Sequence, residues 1–281
     1  TAFNARRLGY TALEWTRGES VHVMYGQRSS AGVHHYGGHV EEGLGTKIKV
    51  TNTMYNLTGE SFYAATAQDN VAMAVNDMIT LGIMPVSYCL HLAVGNSDWF
   101  EDPLRAGGII EGTGRACDLA QCVWGGGETP TLPDLPYPVL SGSVSGVLKP
   151  HKKIVNPMNI RPGDAIVFIR SSGIHANGLS LARRIGDRRD GFWRKFWHRF
   201  MPETFPLGAL PQGYLTELSD GRTYGEALLD PTPIYVQLVD KCIDAGVDPH
   251  YMVNITGHGW RKLMRARQSF TYVIENMPRS F

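Results

Sequence analysis

Apolar residues recur at helical spacing most clearly in the first half of the chain. Val71, Val75 and Met78 stand at i, i+4 and i+7, which predicts a helix over residues 69–81 with one buried stripe. An apolar run behind Pro85 predicts a strand over 86–94, and a glycine-interrupted helix is expected from about 104 to 120. Strands are expected at 122–124 and 139–148, around a loop at 125–134. The alternation at 47–50 reads as a short strand. Residues 1–40 show no clear period.

Strand signals reappear at 165–170 and 251–255, and a helix is expected over 179–185. Thr232-Pro233 reads as an N-cap followed by proline in the first helical position. The helix behind it would carry Ile234, Leu238 and Cys242 on one face and stop at Gly246. The polar, kinked segment Lys149-Pro150-His151-Lys152-Lys153 marks a boundary, giving domains 1–152 and 153–281.

Composition narrows the function classes. With 27 basic and 26 acidic residues in 281, the formal charge of +1 gives no general attraction to nucleic acid or to a membrane surface. The aromatic and basic stretch at 188–200 reads as a surface helix rather than a base-stacking patch. No apolar run is long enough to span a bilayer and no signal pattern opens the chain, so a cytoplasmic protein is expected. The four cysteines form no CxxC pair and read as free thiols. Among the 32 glycines, several cluster where backbone turns or approaches something closely.

Four clusters carry candidate chemistry. In Glu42-Gly43-Leu44-Gly45-Thr46-Lys47, bare backbone, a hydroxyl and a cation suit phosphate oxygens, and Glu42 suits a metal; the spacing is not that of a Walker A loop, and a glycine hairpin accounts for the same residues. Asp69, Asn76 and Asp77 share one helix face or its border; magnesium explains them, as do an N-cap at Asp69 and a solvated rim at Asp77. Gly125-Gly126-Gly127-Glu128-Thr129 suits an anion with Glu128 on a metal, or a plain turn. Ser171-Ser172-Gly173-Ile174-His175-Ala176-Asn177-Gly178, at the start of a helix, suits an anionic substrate or a capped turn.

In their order, these segments resemble aminoimidazole ribonucleotide synthetase. Gly-Leu-Gly-Thr-Lys, Asp-Asn-Val-Ala-Met-Ala-Val-Asn-Asp, Gly-Gly-Glu-Thr and Ser-Ser-Gly-Ile-His-Ala-Asn-Gly are followed by Leu-Leu-Asp-Pro-Thr-Pro-Ile-Tyr from Leu228 and by Ile255-Thr256-Gly257-His258-Gly259. The resemblance spans roughly residues 42–260. It implies an α/β (α+β) fold of two domains, the first contributing strands to a barrel shared across a homodimer. It implies ATP and Mg²⁺ as cofactors, a small phosphoribosyl substrate, and closure of an imidazole ring.

Carried onto this chain, the resemblance puts Glu42, Asp69, Asp77 and Glu128 on the metal. Gly43, Gly45, Thr46, Lys47, Asn76, Gly126, Gly127 and Thr129 would hold the nucleotide. Ser171, Thr256, Gly257 and His258 would bind substrate, and His175, Ser172 and Asn177 would act on it, away from the nucleotide loops.

The chain departs from the family at several points. Glu42 replaces the usual Asp, and Pro130-Thr131-Leu132-Pro133-Asp134 replaces Ala-Glu-Met-Pro-Gly. His258 interrupts a normally all-glycine turn. Trp260-Arg261-Lys262-Leu263-Met264-Arg265 stands where Glu-Asn-hydrophobe-Pro-Arg is expected, and a similar Glu275-Asn276-Met277-Pro278-Arg279 comes later. Family chains normally continue further, which implies truncation or a divergent branch. Two alternatives follow: a superfamily relative using ATP on another substrate (a synthase or a kinase), or a non-catalytic module that kept the fold.

Overall fold

A computed structural model describes residues 2–16, 23–28, 34–150, 152–187, 210 and 212–275. The aromatic and basic stretch at 188–200 and the segment 276–279 lie outside the described residues. Among the described residues the fold is mixed α/β around one six-stranded sheet. In chain order the strands are β1 (Thr11–Ala12), β2 (Val23–Arg28), β3 (His34–Gly43), β4 (Met84–Ala93), β5 (Val123–Glu128) and β6 (Val139–Val147), and they lie in the order β1-β2-β3-β6-β4-β5. Every pairing is antiparallel except β4 with β5. Those two are joined through a helix crossover, the connection that parallel neighbours require.

Helices number α1 (Ala2–Arg7), α2 (Lys47–Thr58), α3 (Tyr63–Met78), α4 (Pro103–Ala120), α5 (Leu179–Gly186), α6 (Tyr224–Leu228) and α7 (Val236–Asp244). The helix expected at 69–81 is α3, extended backward to Tyr63 and followed by a 3-10 turn at Ile79–Leu81. It is buried on all sides from Thr66 to Met78, so Gln68, Asp69, Asn70, Asn76 and Asp77 are buried with it. A helix wrapped all round is a central element of a core rather than a surface one.

Helix α4 starts as its sequence directs. Asp102 accepts from the Leu104 and Arg105 amides, and Pro103 holds the first position. Its glycines are packing devices. A Cβ at Gly112 would stand 2.2 Å from the Ala64 carbonyl oxygen, so this residue lets α4 press against α3.

Several local expectations are corrected. Residues 47–50 are the first turn of α2, whose buried Lys47, Ile48, Thr51 and Met54 follow helical spacing. The segments 165–170 and 251–255 form no strand. The helix placed behind Thr232-Pro233 begins at Val236, with Tyr235 before it. Residues 1–40, featureless in sequence, supply β1, β2 and most of β3.

The second half is packed into the first. Val236 and Val239 of α7 belong to the core that contains Val71, Val75 and Tyr88. A smaller cluster joins Val50 and Met54 of α2 to Leu179, Ala182, Tyr214, Leu228 and Leu229.

Candidate functional site

The polar residues of α3 are where separate parts of the chain meet. Lys47 and Asp69 are both fully buried, and Lys47 Nζ lies 2.6 Å from Asp69 Oδ2. Lys47 also donates to the Asp230 carbonyl oxygen at 2.7 Å. Thr232 supplies the other Asp69 oxygen with its amide at 2.9 Å and with its hydroxyl. Burial pushes the Lys47 ammonium below, and the Asp69 carboxyl above, the ordinary range, and each opposes the other's shift. Both residues therefore serve each other, and neither presents an open face to a ligand in this arrangement.

Nearly two turns further along, Asn76 donates to the Pro233 carbonyl at 2.9 Å and accepts from the Tyr235 amide at 3.0 Å. The segment 230–235 is thus pinned to α3 at Asp69 and Asn76, nearly two turns apart. That segment carried the N-cap signal, and Thr232 spends its hydroxyl on Asp69 instead of on its own helix.

Asp77 closes the row. Asn254 donates to its Oδ1 at 2.7 Å, and its carboxylate acts on the neighbouring Glu42 carboxyl. Burial, and then Asp77, push Glu42 up to about 7. Glu42 shares the strand face of buried Val40, toward the helices.

The Ser171–Asn177 loop arrives over the same helix. Asn177 donates to Met73 Sδ at 3.6 Å. A Cβ on Gly257 would lie 3.7 Å from Asn177 Oδ1, so the loop around Gly257 meets this one. His175 has a left-handed backbone, φ 56°, and its Nε2 accepts from the Ser172 amide at 3.2 Å and lies 2.9 Å from the Ser172 hydroxyl oxygen. Ser171 Oγ lies 3.4 Å from Nδ1. Burial, and then the Lys47 charge, hold the imidazole down at about 4, so it is neutral at pH 7. The expected separation of His175 from the Lys47 loop is therefore not found: the two lie within electrostatic range of each other.

The glycine loop at 125–129 stands apart. Gly127 is required by strand packing, since a Cβ would stand 2.1 Å from the Leu90 carbonyl oxygen, while one on Gly125 would stand 2.2 Å from the Ser87 hydroxyl oxygen. Gly126 has φ +147 with open space around it. With Leu90, Trp124 and Thr129 the loop lines a concavity of about 380 Å³. Glu128 pairs with His91 on β4, while Glu42 is on β3; two strands intervene, so their backbones stand about 14 Å apart. One ion cannot take both carboxylates.

The four proposed metal ligands thus divide. Glu42 and Asp77 stand together and offer the hard oxygens a magnesium ion takes. Asp69 is spent on Lys47 and Thr232, and Glu128 is exposed on β5. Among the described residues, no group of three or more His, Cys, Asp and Glu side chains is placed to share a metal ion. Gly43 and Gly45 have open space where a Cβ would be, and Gly45 has φ +73, so the backbone at 43–46 is free to approach a ligand. Thr46 caps α2 with no side-chain hydrogen bond. His258 is exposed, with its Nδ1 3.5 Å from an Arg265 nitrogen. Sequence reasoning missed Asp230, Thr232 and Asn254 as partners of this helix; only Leu-Leu-Asp-Pro-Thr-Pro, as an ordered motif, pointed there.

The AIR synthase related protein N-terminal domain matches residues 53–148. A phosphoribosylformylglycinamidine cyclo-ligase of Methanothermobacter thermautotrophicus is 32% identical over 84% of this chain and 62% of its own. One from Methanocaldococcus jannaschii is 34% identical over 87% of this chain and 64% of its own. One from Gloeobacter violaceus is 32% identical over 85% and 59%. The chain therefore spans about three fifths of the length of these relatives.

Proposed function

We propose that this chain, which is similar to phosphoribosylformylglycinamidine cyclo-ligases and matches the AIR synthase related N-terminal domain over residues 53–148, closes the imidazole ring of aminoimidazole ribonucleotide at the expense of ATP. The observation that carries this reading is the convergence of the motif residues on α3: the segments containing Glu42, Lys47, Ser171–Asn177, Asp230–Tyr235 and Asn254 all meet that helix or one another.

In the proposed reaction the formyl oxygen of formylglycinamidine ribonucleotide takes the terminal phosphoryl group of ATP, and ADP leaves. An internal nitrogen then attacks the activated carbon, the carbon–oxygen bond breaks, and phosphate departs with the former formyl oxygen. Positioning and charge neutralisation do most of the work in such transfers. Residues 43–46 offer backbone amides and the Thr46 hydroxyl to the phosphates. A magnesium ion, when bound, neutralises phosphate charge, and Glu42 and Asp77 are the carboxylates we assign to hold it. A neutral His175 that accepts on Nε2 must carry its proton on Nδ1, which makes Nδ1–H a donor for the substrate. Ser171, Ser172 and Asn177 hold that loop and the substrate. In this reading residues 1–152 bind nucleotide and residues 153–281 bring the substrate loops, in the cytoplasm.

Incubation with ATP, magnesium and formylglycinamidine ribonucleotide tests the proposal by product mass. The imidazole ribonucleotide is expected. A phosphorylated compound or an amidine would assign the chain to another branch of the superfamily, and binding without turnover would make it a non-catalytic module.

A homodimer is part of the same reading. Helices α3 and α4 lie against one face of the sheet, while Val86, Val123 and Val147 are 45%, 64% and 50% exposed on its strands. Exposed apolar strand residues favour burial against a second copy. Light scattering is expected to give about twice the 31.0 kDa chain mass; a monomer at high micromolar concentration contradicts the dimer.

A further inference from the structure

Two of the four cysteines close the turn between α4 and β5. The Cys122 amide donates to the Cys117 carbonyl oxygen and the Gln121 amide to the Asp118 carbonyl oxygen, both at 3.0 Å. Gln121, just before Cys122, takes the left-handed backbone, φ 53°. This six-to-one closure of a helix sets the side chains of its first and last residues against each other. Here both are thiols. Cys117 is 2% exposed within the main core, and half-buried Cys122 packs against that core. A pair closed by such a bond has its α-carbons near the separation that a disulfide spans, about 4.4–6.8 Å. Rotation of the two side chains then brings sulfur to sulfur without moving the helix.

We propose that Cys117 and Cys122 form an oxidation site for a hydroperoxide, Cys122 reacting first and Cys117 resolving it to a disulfide that ties the end of α4 to the start of β5. The order follows from access, since Cys122 meets solvent and Cys117 is screened from it. Contact with Cys117 also holds the Cys122 thiol below the ordinary range, which favours the nucleophilic thiolate there. The Cys122 sulfur attacks one peroxide oxygen, the oxygen–oxygen bond breaks, and hydroxide leaves behind a sulfenic acid on Cys122. The Cys117 sulfur then attacks the Cys122 sulfur. The sulfur–oxygen bond breaks, and the departing hydroxide takes the Cys117 proton as water. Two thiols and one peroxide give one disulfide and two waters. The bond forms two residues before Trp124, which packs on the same core and whose Nε1 donates to the Gly126 carbonyl oxygen at 2.9 Å. Oxidation thus stiffens the strand that carries the glycine loop at 125–129.

Titrating the reduced protein with hydrogen peroxide, then alkylating it with N-ethylmaleimide and mapping tryptic peptides, tests this. Both cysteines fall in peptide 116–149. That peptide is expected to be the first to lose alkylation and to run about 2 Da lighter, two hydrogens having been removed. Cys89 and Cys242 are expected to carry the label at the same peroxide dose. In Cys117→Ser the sulfenic acid on Cys122 is expected to persist and react with dimedone, whereas in Cys122→Ser the buried Cys117 is expected to stay a thiol. Amide hydrogen exchange at residues 123–129 is expected to slow severalfold in the disulfide form and to recover with dithiothreitol. A pair still alkylated when Cys89 is oxidised, dimedone on Cys117 in Cys122→Ser, or unchanged exchange in the disulfide form overturns the proposal. These readouts are independent of the reaction the protein catalyses.

Discussion

Lys47→Met is expected to lower the melting temperature by roughly 10 °C, one of the largest single-residue effects in this chain. The substitution leaves Asp69 buried beside Thr232 with no cation. Removing one member of a buried pair costs about 3–5 kcal/mol, a large share of the 5–15 kcal/mol that holds a typical protein folded. At this chain length each kcal/mol moves the melting point by about 2–4 °C. The loss is not a matter of packing volume, because methionine fills much of the lysine stem's space. The double variant Lys47→Met with Asp69→Asn is expected to be less destabilised than the sum of the two single changes, since the uncompensated charge is gone. A shift under about 2 °C for Lys47→Met, or strict additivity, means that the pair does not hold the segment 230–235 on α3.

His175→Ala is expected to reduce turnover by about 10²–10⁴-fold, the range for a proton-handling side chain, while melting at pH 7 changes little. A second signature separates its protonation from mere shape. In the folded protein the imidazole sits at about 4, below the 6.5 of an unfolded chain. Between those values the unfolded state binds more protons, so wild-type stability rises with pH through this window and is lost as pH falls from about 6.5 toward 4. The alanine variant lacks that contribution. Its melting point is therefore expected to fall less than that of wild type between pH 7 and pH 4.5. Near-wild-type turnover in folded His175→Ala removes the imidazole from the mechanism, and identical acid sensitivity shows that it is not held neutral by the fold.

What sequence reasoning reached depended on whether a signal was local. Helix α3 was legible because Val71, Val75 and Met78 carry a period that burial then uses, and α4 because Asp102-Pro103 caps it with its own side chain. The four residues 47–50 alternate like a strand but belong to a helix; only Thr51 and Met54 beyond them reveal the i, i+4, i+7 face. Strands β2 and β3 escaped notice because β3 is built from His, Tyr and Gly and takes its order from pairing on both sides, with β2 and with β6. Thr232 failed as a cap because a carboxylate 163 positions away claims its hydroxyl and amide. The site followed the same rule. The segments that meet at α3 were legible as an ordered set of motifs. The pairing of Lys47 with Asp69 and the isolation of Glu128 from Glu42 depend on register and burial, which no local pattern encodes.

The central claim is that ATP activates the formyl oxygen so that the ring can close. Formylglycinamidine ribonucleotide labelled with oxygen-18 at the formyl group, mixed with ATP, magnesium and the protein, tests it in one measurement. Mass analysis is expected to find unlabelled aminoimidazole ribonucleotide and one labelled oxygen in the inorganic phosphate released. Label released to water, or phosphate formed without label and without the imidazole, contradicts the account.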